Sequence, residues 1–92
     1  MYMMNGRIML LKRIVLQSLM PSGIIRYNIT YIPKLGAYRI TLVGSREGIS
    51  GDALRRLMDA LSSNGFDVRA KVGKSRLSNV IYLYAVPKVN VH

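Results

Sequence analysis

Residues 24–42 read IIRYNITYIPKLGAYRITL, and this stretch decides the fold. Large apolar and aromatic side chains recur at every second position on both sides of the Pro33–Gly36 turn. They are Ile25, Tyr27, Ile29 and Tyr31 before the turn, and Tyr38, Ile40 and Leu42 after it. A period of two is typical of strands with one buried face, and two such strands around a proline–glycine turn predict a β-hairpin.

The segment after this hairpin carries the clearest helix pattern. Ser50 is a good N-cap, and Asp52 in the first turn complements the positive end of the helix dipole. Asn64-Gly65 provides the glycine that commonly ends a helix. Between these ends, apolar residues follow i, i+3, i+4, i+7 spacing, which predicts one apolar stripe: Leu54, Leu57, Met58 and Leu61.

Two further strands follow this helix. Alternation over Phe66–Val72 predicts the third strand, and alternation over Val80–Val86 predicts the fourth. Pro87 has no amide proton to donate, so we expect the end of the fourth strand at a sheet edge.

The N-terminal segment Arg7–Met20 has no clean period, but its length and its Leu, Met, Lys and Arg content favour a helix. Pro21-Ser22-Gly23 ends it. Because the helix is apolar on most sides, we expect the sheet to cover one side and a second subunit another.

Together the elements predict an α+β two-layer sandwich, in which an N-terminal helix precedes a four-stranded β-β-α-β-β unit. Residues 1–23 form the helix and linker, and residues 24–92 form the β-β-α-β-β unit. A chain of 92 residues predicts one domain overall.

Charge points to a class of partner. The net charge is +10, and seven lysines and arginines precede the first acidic residue, Glu47. Such a positive field attracts phosphate polymers and anionic surfaces. We therefore predict a small basic protein that binds the phosphate backbone of DNA or RNA with low base specificity, inside the cell, in the cytoplasm or with the nucleoid.

Alternation places cations and aromatics together on the sheet face opposite the central helix. The predicted binding residues there are Arg26, Arg39, Arg69, Lys71, Tyr82 and Tyr84, with Asn28, Thr30 and Thr41 between them. Bases stack on tyrosine rings while cations follow the phosphates, so this set suits single-stranded nucleic acid. The alternative is an ordinary solvated strand face, or a face covered by the N-terminal helix.

The turn between the third and fourth strands adds Lys74 and Arg76 as predicted phosphate contacts, although polar turns are ordinary in so basic a chain. Gly73-Lys74-Ser75 is not a nucleotide-binding P-loop, because Val68 stands where that motif requires glycine. The glycine-rich loop of residues 44–51 opens a helix, where free amides can hold phosphate. The glycines of this loop are explained better by turn formation than by phosphate binding.

Catalytic and metal-binding groups are scarce. The chain has no cysteine, and its one histidine, His92, is the last residue. Asp52 and Asp59 lie about two helical turns apart, roughly 10 Å, which is far for an acid–base pair. We therefore predict no catalytic residues, no metal and no cofactor, and a protein that is not an enzyme.

The rival functions depend on the N-terminal helix. The first is a structural subunit that forms a homodimer or larger assembly, or docks a partner, through this helix. The second is attachment of Arg7–Met20 to an anionic membrane surface. We expect no membrane-spanning segment, because Lys12-Arg13 splits the longest apolar stretches. An organelle-targeting peptide is a further alternative for this arginine- and methionine-rich terminus.

Two resemblances concern the second half of the chain. The run from Tyr38 to Val86 resembles the β-α-β-β unit of small chromatin proteins of the Alba type, which implies a basic hairpin tip near Lys74 and Arg76. It lacks their second helix and has an additional strand before the unit. Residues 65–74 are similar to a stretch of a small purine-synthesis subunit. No site residue is carried over from either family.

Overall fold

Two helices and four strands follow one another in the predicted order along the described part of the chain. The structure, a computed structural model, describes residues 2–18, 24–45, 48–73 and 79–88. The elements are α1 (Tyr2–Ser18), β1 (Ile24–Ile32), a 3-10 turn (Pro33–Leu35), β2 (Ala37–Gly44), α2 (Gly51–Ser63), β3 (Phe66–Val72) and β4 (Asn79–Pro87). The α+β class and the β-β-α-β-β order are confirmed. The predicted linker, Pro21-Ser22-Gly23, lies outside the described residues.

The four strands form one sheet in the order β1-β2-β4-β3, and all neighbouring strands are antiparallel. The strand β4 as a whole therefore lies inside the sheet, but its end, where the sequence predicts a sheet edge, is paired on one side only. Pro87 is tolerated because it is the last residue of β4. It pairs with Phe66 of β3, whereas the pairing of β4 with β2 ends at Ala85.

Both helices pack on the same face of the sheet. Leu11, Ile14 and Val15 of α1 share a core with Leu57 and Leu61 of α2. The sheet contributes the buried side chains Tyr38, Ile40, Leu42, Phe66, Leu83 and Ala85 to this core. The molecule thus has two layers, and no described helix covers the other face of the sheet.

The ends of α2 are formed as the sequence predicts. The Ser50 hydroxyl accepts a hydrogen bond from the backbone N–H of Ala53 at 3.3 Å. At the other end, Gly65 has φ +91°, a left-handed conformation that side chains disfavour. The backbone N–H of Lys88 donates to the Gly65 carbonyl at 2.8 Å, which ties the end of β4 to the end of α2.

Two large apolar side chains depart from their predicted burial. Ile25 is 69% exposed because β1 has an irregularity at this point, where Ile24 pairs with Gly44 and Arg26 with Val43. Ile24 packs against the core in its place. Val72 pairs with Ile81 on the helix side but is 76% exposed, since the helix layer does not extend over the end of the edge strand β3.

The helix α1, Tyr2–Ser18, begins earlier than the predicted Arg7, and the predicted end, Leu19 and Met20, lies outside the described residues. One side of it is buried as expected, through Leu11, Ile14 and Val15. The opposite side presents Met9, 65% exposed, and Leu16, 54% exposed, to solvent. One side of α1 thus packs in the core, and the apolar side chains of Met9 and Leu16 on the opposite side, which we call the bare side of α1, are exposed to solvent.

Candidate nucleic-acid interface

The strand register brings the predicted cations and tyrosines onto one surface. We call the sheet face opposite the helices the basic sheet face. It is formed by Arg26, Asn28, Thr30, Arg39, Thr41, Arg69, Lys71, Tyr82 and Tyr84. Cross-strand partners lie on the same side of a sheet, so the pairing of these residues fixes their common orientation.

The centre of the basic sheet face consists of two adjacent rows that run across the strands. In one row, Thr30 pairs with Arg39, Arg39 with Tyr84, and Tyr84 with Arg69. Neighbouring strands are about 4.8 Å apart, so the two arginines stand roughly 9.6 Å from each other with the tyrosine between them.

The second row lies two residues further along each strand, at about 6.6 Å from the first. Here Asn28 pairs with Thr41, Thr41 with Tyr82, and Tyr82 with Lys71. Asn28 Nδ2 also donates a weak hydrogen bond to Thr30 Oγ1 at 3.4 Å, which links the two rows on β1. The surface therefore alternates cations with aromatic rings and small polar groups.

The Arg39 guanidinium lies over the ring of Tyr82, at 5.7 Å from the carbon Cζ to the ring centroid. This distance is within the range of a cation–π contact. The Nε of Arg39 is buried and has no hydrogen-bond partner within the described part of the chain. Arg39 therefore covers part of the Tyr82 ring, so the two residues do not act as independent groups.

The backbone of Gly73 contacts the Tyr82 ring on another side. A Cβ at position 73 would lie 2.8 Å from Cε2 of Tyr82, closer than real Cβ atoms approach their neighbours, and 3.0 Å from Cγ1 of Val80, which is a tight contact. The Tyr82 ring thus packs against bare backbone at the end of β3. Tyr82 is held between Arg39 and Gly73. Tyr84 is the cross-strand partner of Arg39, but the Arg39 guanidinium lies over the Tyr82 ring.

Two depressions lie on either side of the Arg39–Tyr82 pair. One, of ≈ 480 Å³, is lined by Arg26, Tyr27, Asn28, Thr41 and Val43. The other, of ≈ 460 Å³, is lined by Leu35, Ala37, Arg69, Lys71, Tyr84 and Val86. The basic sheet face is therefore contoured, with at least one cation at each depression.

One carboxylate stands at the margin of this surface. Asp67 is exposed on β3 and pairs with Val86, one row beyond Arg69 on the same face. A negative charge there repels phosphate, so it limits the cationic area at that end of the sheet.

Most of the predicted site residues are brought together. Arg26, Arg69 and Lys71 are exposed, while Arg39, Tyr82 and Tyr84 are half-buried. The remaining two, Lys74 and Arg76, lie outside the described residues.

Sequence reasoning missed the apolar lining of the second depression, which is formed by Leu35, Ala37 and Val86 together with Tyr84. The alternation that placed Tyr82 and Tyr84 on this face also places Val86 there, so that signal was available. No alternation pattern places Leu35 on this face, because its position depends on how the 3-10 turn is arranged beside β2.

The described residues contain no group of three or more His, Cys, Asp or Glu side chains arranged to hold a metal ion. In the same part of the chain, neither helix is long and apolar enough to cross a membrane.

Fold and surface together define a small α+β protein with an open, basic sheet face that carries tyrosines. The chain is 45% identical over 67 residues to an uncharacterised protein, ORF107, of Acidianus filamentous virus 2 (isolate Italy/Pozzuoli). The match covers 71% of this chain and 63% of the viral protein, so it spans less than two thirds of that relative. No protein-family model matches the chain, and no solved structure matches it significantly.

Proposed function

We propose that this protein binds nucleic acid through the basic sheet face, contacting the phosphate backbone with low base specificity. The observation that supports this proposal is the arrangement of Arg39, Arg69 and Lys71 around two tyrosines on a face that no described helix covers. Phosphate contacts supply affinity without reading sequence, and aromatic rings accept any base.

The whole-chain charge favours the same partner. A net charge of +10 draws a polyanion toward the surface, and each neutralised phosphate releases condensed counterions. We propose an intracellular setting for this partner, in the cytoplasm or with the nucleoid. We also propose binding without catalysis, since Asp52 and Asp59 belong to α2, on the side of the sheet away from the proposed ligand.

A salt titration tests this function. We expect the Arg69→Ala/Lys71→Ala double variant to bind more weakly to all sequences. Its plot of log affinity against log salt concentration should be less steep by about 1.4 for a single strand or about 1.8 for a duplex, if each side chain contacts one phosphate. Fluorescence anisotropy with a labelled oligonucleotide at several salt concentrations measures this slope.

The matched control is the Arg55→Ala/Arg56→Ala double variant. Both arginines are exposed on α2, so this variant loses the same charge from the helix layer. We expect a smaller change of slope in this control. Equal changes in the two double variants would mean that charge acts without regard to position, and would reject the basic sheet face as the binding surface.

A second role is supported by the bare side of α1. Met9 and Leu16 are seven positions apart and therefore share a helix face, with Lys12 and Arg13 between them. These residues and Gln17 line a depression of ≈ 360 Å³. We propose that two copies of the chain associate through this surface, which would add burial to a small core.

A further inference from the structure

The depression beside Tyr84 has a different chemistry from the rest of the basic sheet face. We call it the Tyr84 pocket, and its lining consists of Leu35, Ala37, Arg69, Lys71, Tyr84 and Val86. Its volume, ≈ 460 Å³, falls in the range of small-molecule binding sites. Four of its six residues are apolar or aromatic, and the other two are cations.

The apolar residues that line the pocket differ in exposure. Ala37 is buried at the start of β2, Val86 is partly exposed on β4, and Leu35 is 59% exposed at the 3-10 turn. Tyr84 lies two residues before Val86 on the same strand, and both side chains lie on the same face. An exposed leucine next to a half-buried tyrosine leaves apolar area in water, which a flat aromatic ligand would cover.

The cations stand on one side of this surface. Arg69 and Lys71 are both exposed on β3, two residues apart, so they lie about 6.6 Å from each other along the strand. Arg69 pairs directly with Tyr84, and Lys71 pairs with Tyr82. A ligand that fills the pocket therefore needs a planar apolar part over the tyrosine and negative charge toward Arg69 and Lys71.

Tyr84 is better placed than Tyr82 to receive such a ligand. The Arg39 guanidinium already lies over the Tyr82 ring, and Gly73 packs against its edge. A base that stacked on Tyr82 would have to displace Arg39 or stack on the guanidinium itself. The Tyr84 ring lines an open depression instead.

We infer that the Tyr84 pocket takes one base of a single-stranded nucleic acid, stacked on Tyr84, while Arg69 and Lys71 contact the adjoining phosphates. This inference rests on the proposed function, and it adds a preference for single strands over duplexes. Bases in a duplex are stacked inside the helix and cannot enter the pocket without unpairing, whereas bases of a single strand are free to stack on aromatic side chains.

The test compares three labelled probes of equal length: a thymidine oligonucleotide, an oligonucleotide made of abasic sites, and a duplex. At one salt concentration, we expect the wild-type protein to bind the thymidine strand more tightly than the abasic strand. Tyr84→Leu keeps apolar bulk but removes the aromatic face. It should weaken thymidine-strand binding between about fivefold and 150-fold and leave abasic binding unchanged.

Tyr82→Leu is the matched control, on the same strand and the same face, and we expect a smaller loss because Arg39 covers that ring. Leu35→Ala is a second variant whose side chain is largely exposed, so folding should tolerate it. It should reduce binding of the thymidine strand and not of the abasic strand. Circular dichroism confirms that each variant is folded.

The outcomes separate the two proposals. If the thymidine and abasic strands bind equally well to the wild type, the base pocket is wrong, while phosphate binding by the basic sheet face stands. Equal losses for Tyr82→Leu and Tyr84→Leu would also overturn the assignment of the base to the Tyr84 pocket. If none of the three probes binds, the proposed function itself fails.

Discussion

Single residues on the basic sheet face are held by specific neighbours. Arg39 is half-buried, its Nε has no hydrogen-bond partner among the described residues, and its guanidinium lies over Tyr82. A buried donor without a partner costs about 1–3 kcal/mol. The contact with the ring offsets part of this cost, since a cation over an aromatic face is worth about 0.5–2 kcal/mol.

The glycine beside Tyr82 gives a prediction at this scale. We expect Gly73→Ala to lower the free energy of unfolding by about 1–3 kcal/mol, because the new methyl group would collide with Tyr82 and Val80. Urea unfolding followed by circular dichroism measures the change.

Gly51→Ala serves as the control for this substitution. Nothing lies within 4 Å of a Cβ at that position, which is the first residue of α2. We expect no loss of stability there, and a gain of up to about 1 kcal/mol is consistent with the helix preference of alanine. If both variants were equally stable, Tyr82 would not be packed against the backbone of Gly73.

At the scale of elements, α2 depends on its N-cap. We expect Ser50→Ala to destabilise the protein by about 1 kcal/mol, since the hydroxyl that accepts the Ala53 N–H is lost. Thermal unfolding reports the difference. Ser63→Ala, at the exposed last residue of the same helix, should have little effect. A loss of similar size at both serines would show that the cap contributes nothing specific.

The elements themselves could be predicted from sequence because their signals are local. Period-two alternation located all four strands, and an N-cap with an apolar stripe located α2. The exposure of Ile25 could not be predicted, because Ile24 and Ile25 are equally apolar. Only the pairing of Ile24 with Gly44 decides which one faces the core.

Long-range pairing limits what local patterns reveal about the site. Alternation placed Tyr82, Tyr84 and Arg39 on one face, but the contact of Arg39 with Tyr82 depends on the register between β2 and β4. The interior position of β4 depends on the same pairing, and so does the Tyr84 pocket. Lys74 and Arg76 lie outside the described residues, so their role stays a prediction.

At the scale of the whole molecule, the bare side of α1 predicts self-association. We expect the wild-type protein to form dimers in sedimentation equilibrium, and the Met9→Gln/Leu16→Gln double variant to be monomeric. The two side chains are mostly exposed, so the fold should survive their replacement. Nucleic-acid binding per protomer should persist, because α1 and the basic sheet face lie on opposite sides of the sheet.

Ile25→Gln is the control for this experiment, since it removes an exposed apolar side chain from β1 rather than from α1. We expect it to leave the dimer intact. A wild-type protein that stays monomeric at every concentration measured would rule out the second role of α1.

The packing of both helices against one side of the sheet has a consequence for evolution. The side chains that maintain the fold and those proposed to meet a ligand occupy opposite sides, so selection can act on them separately. Substitutions at the exposed positions of this face, such as Arg69 and Lys71, would change the proposed ligand surface without altering the side chains of the core. A lineage carrying this scaffold can therefore vary that surface without compensating mutations in its interior.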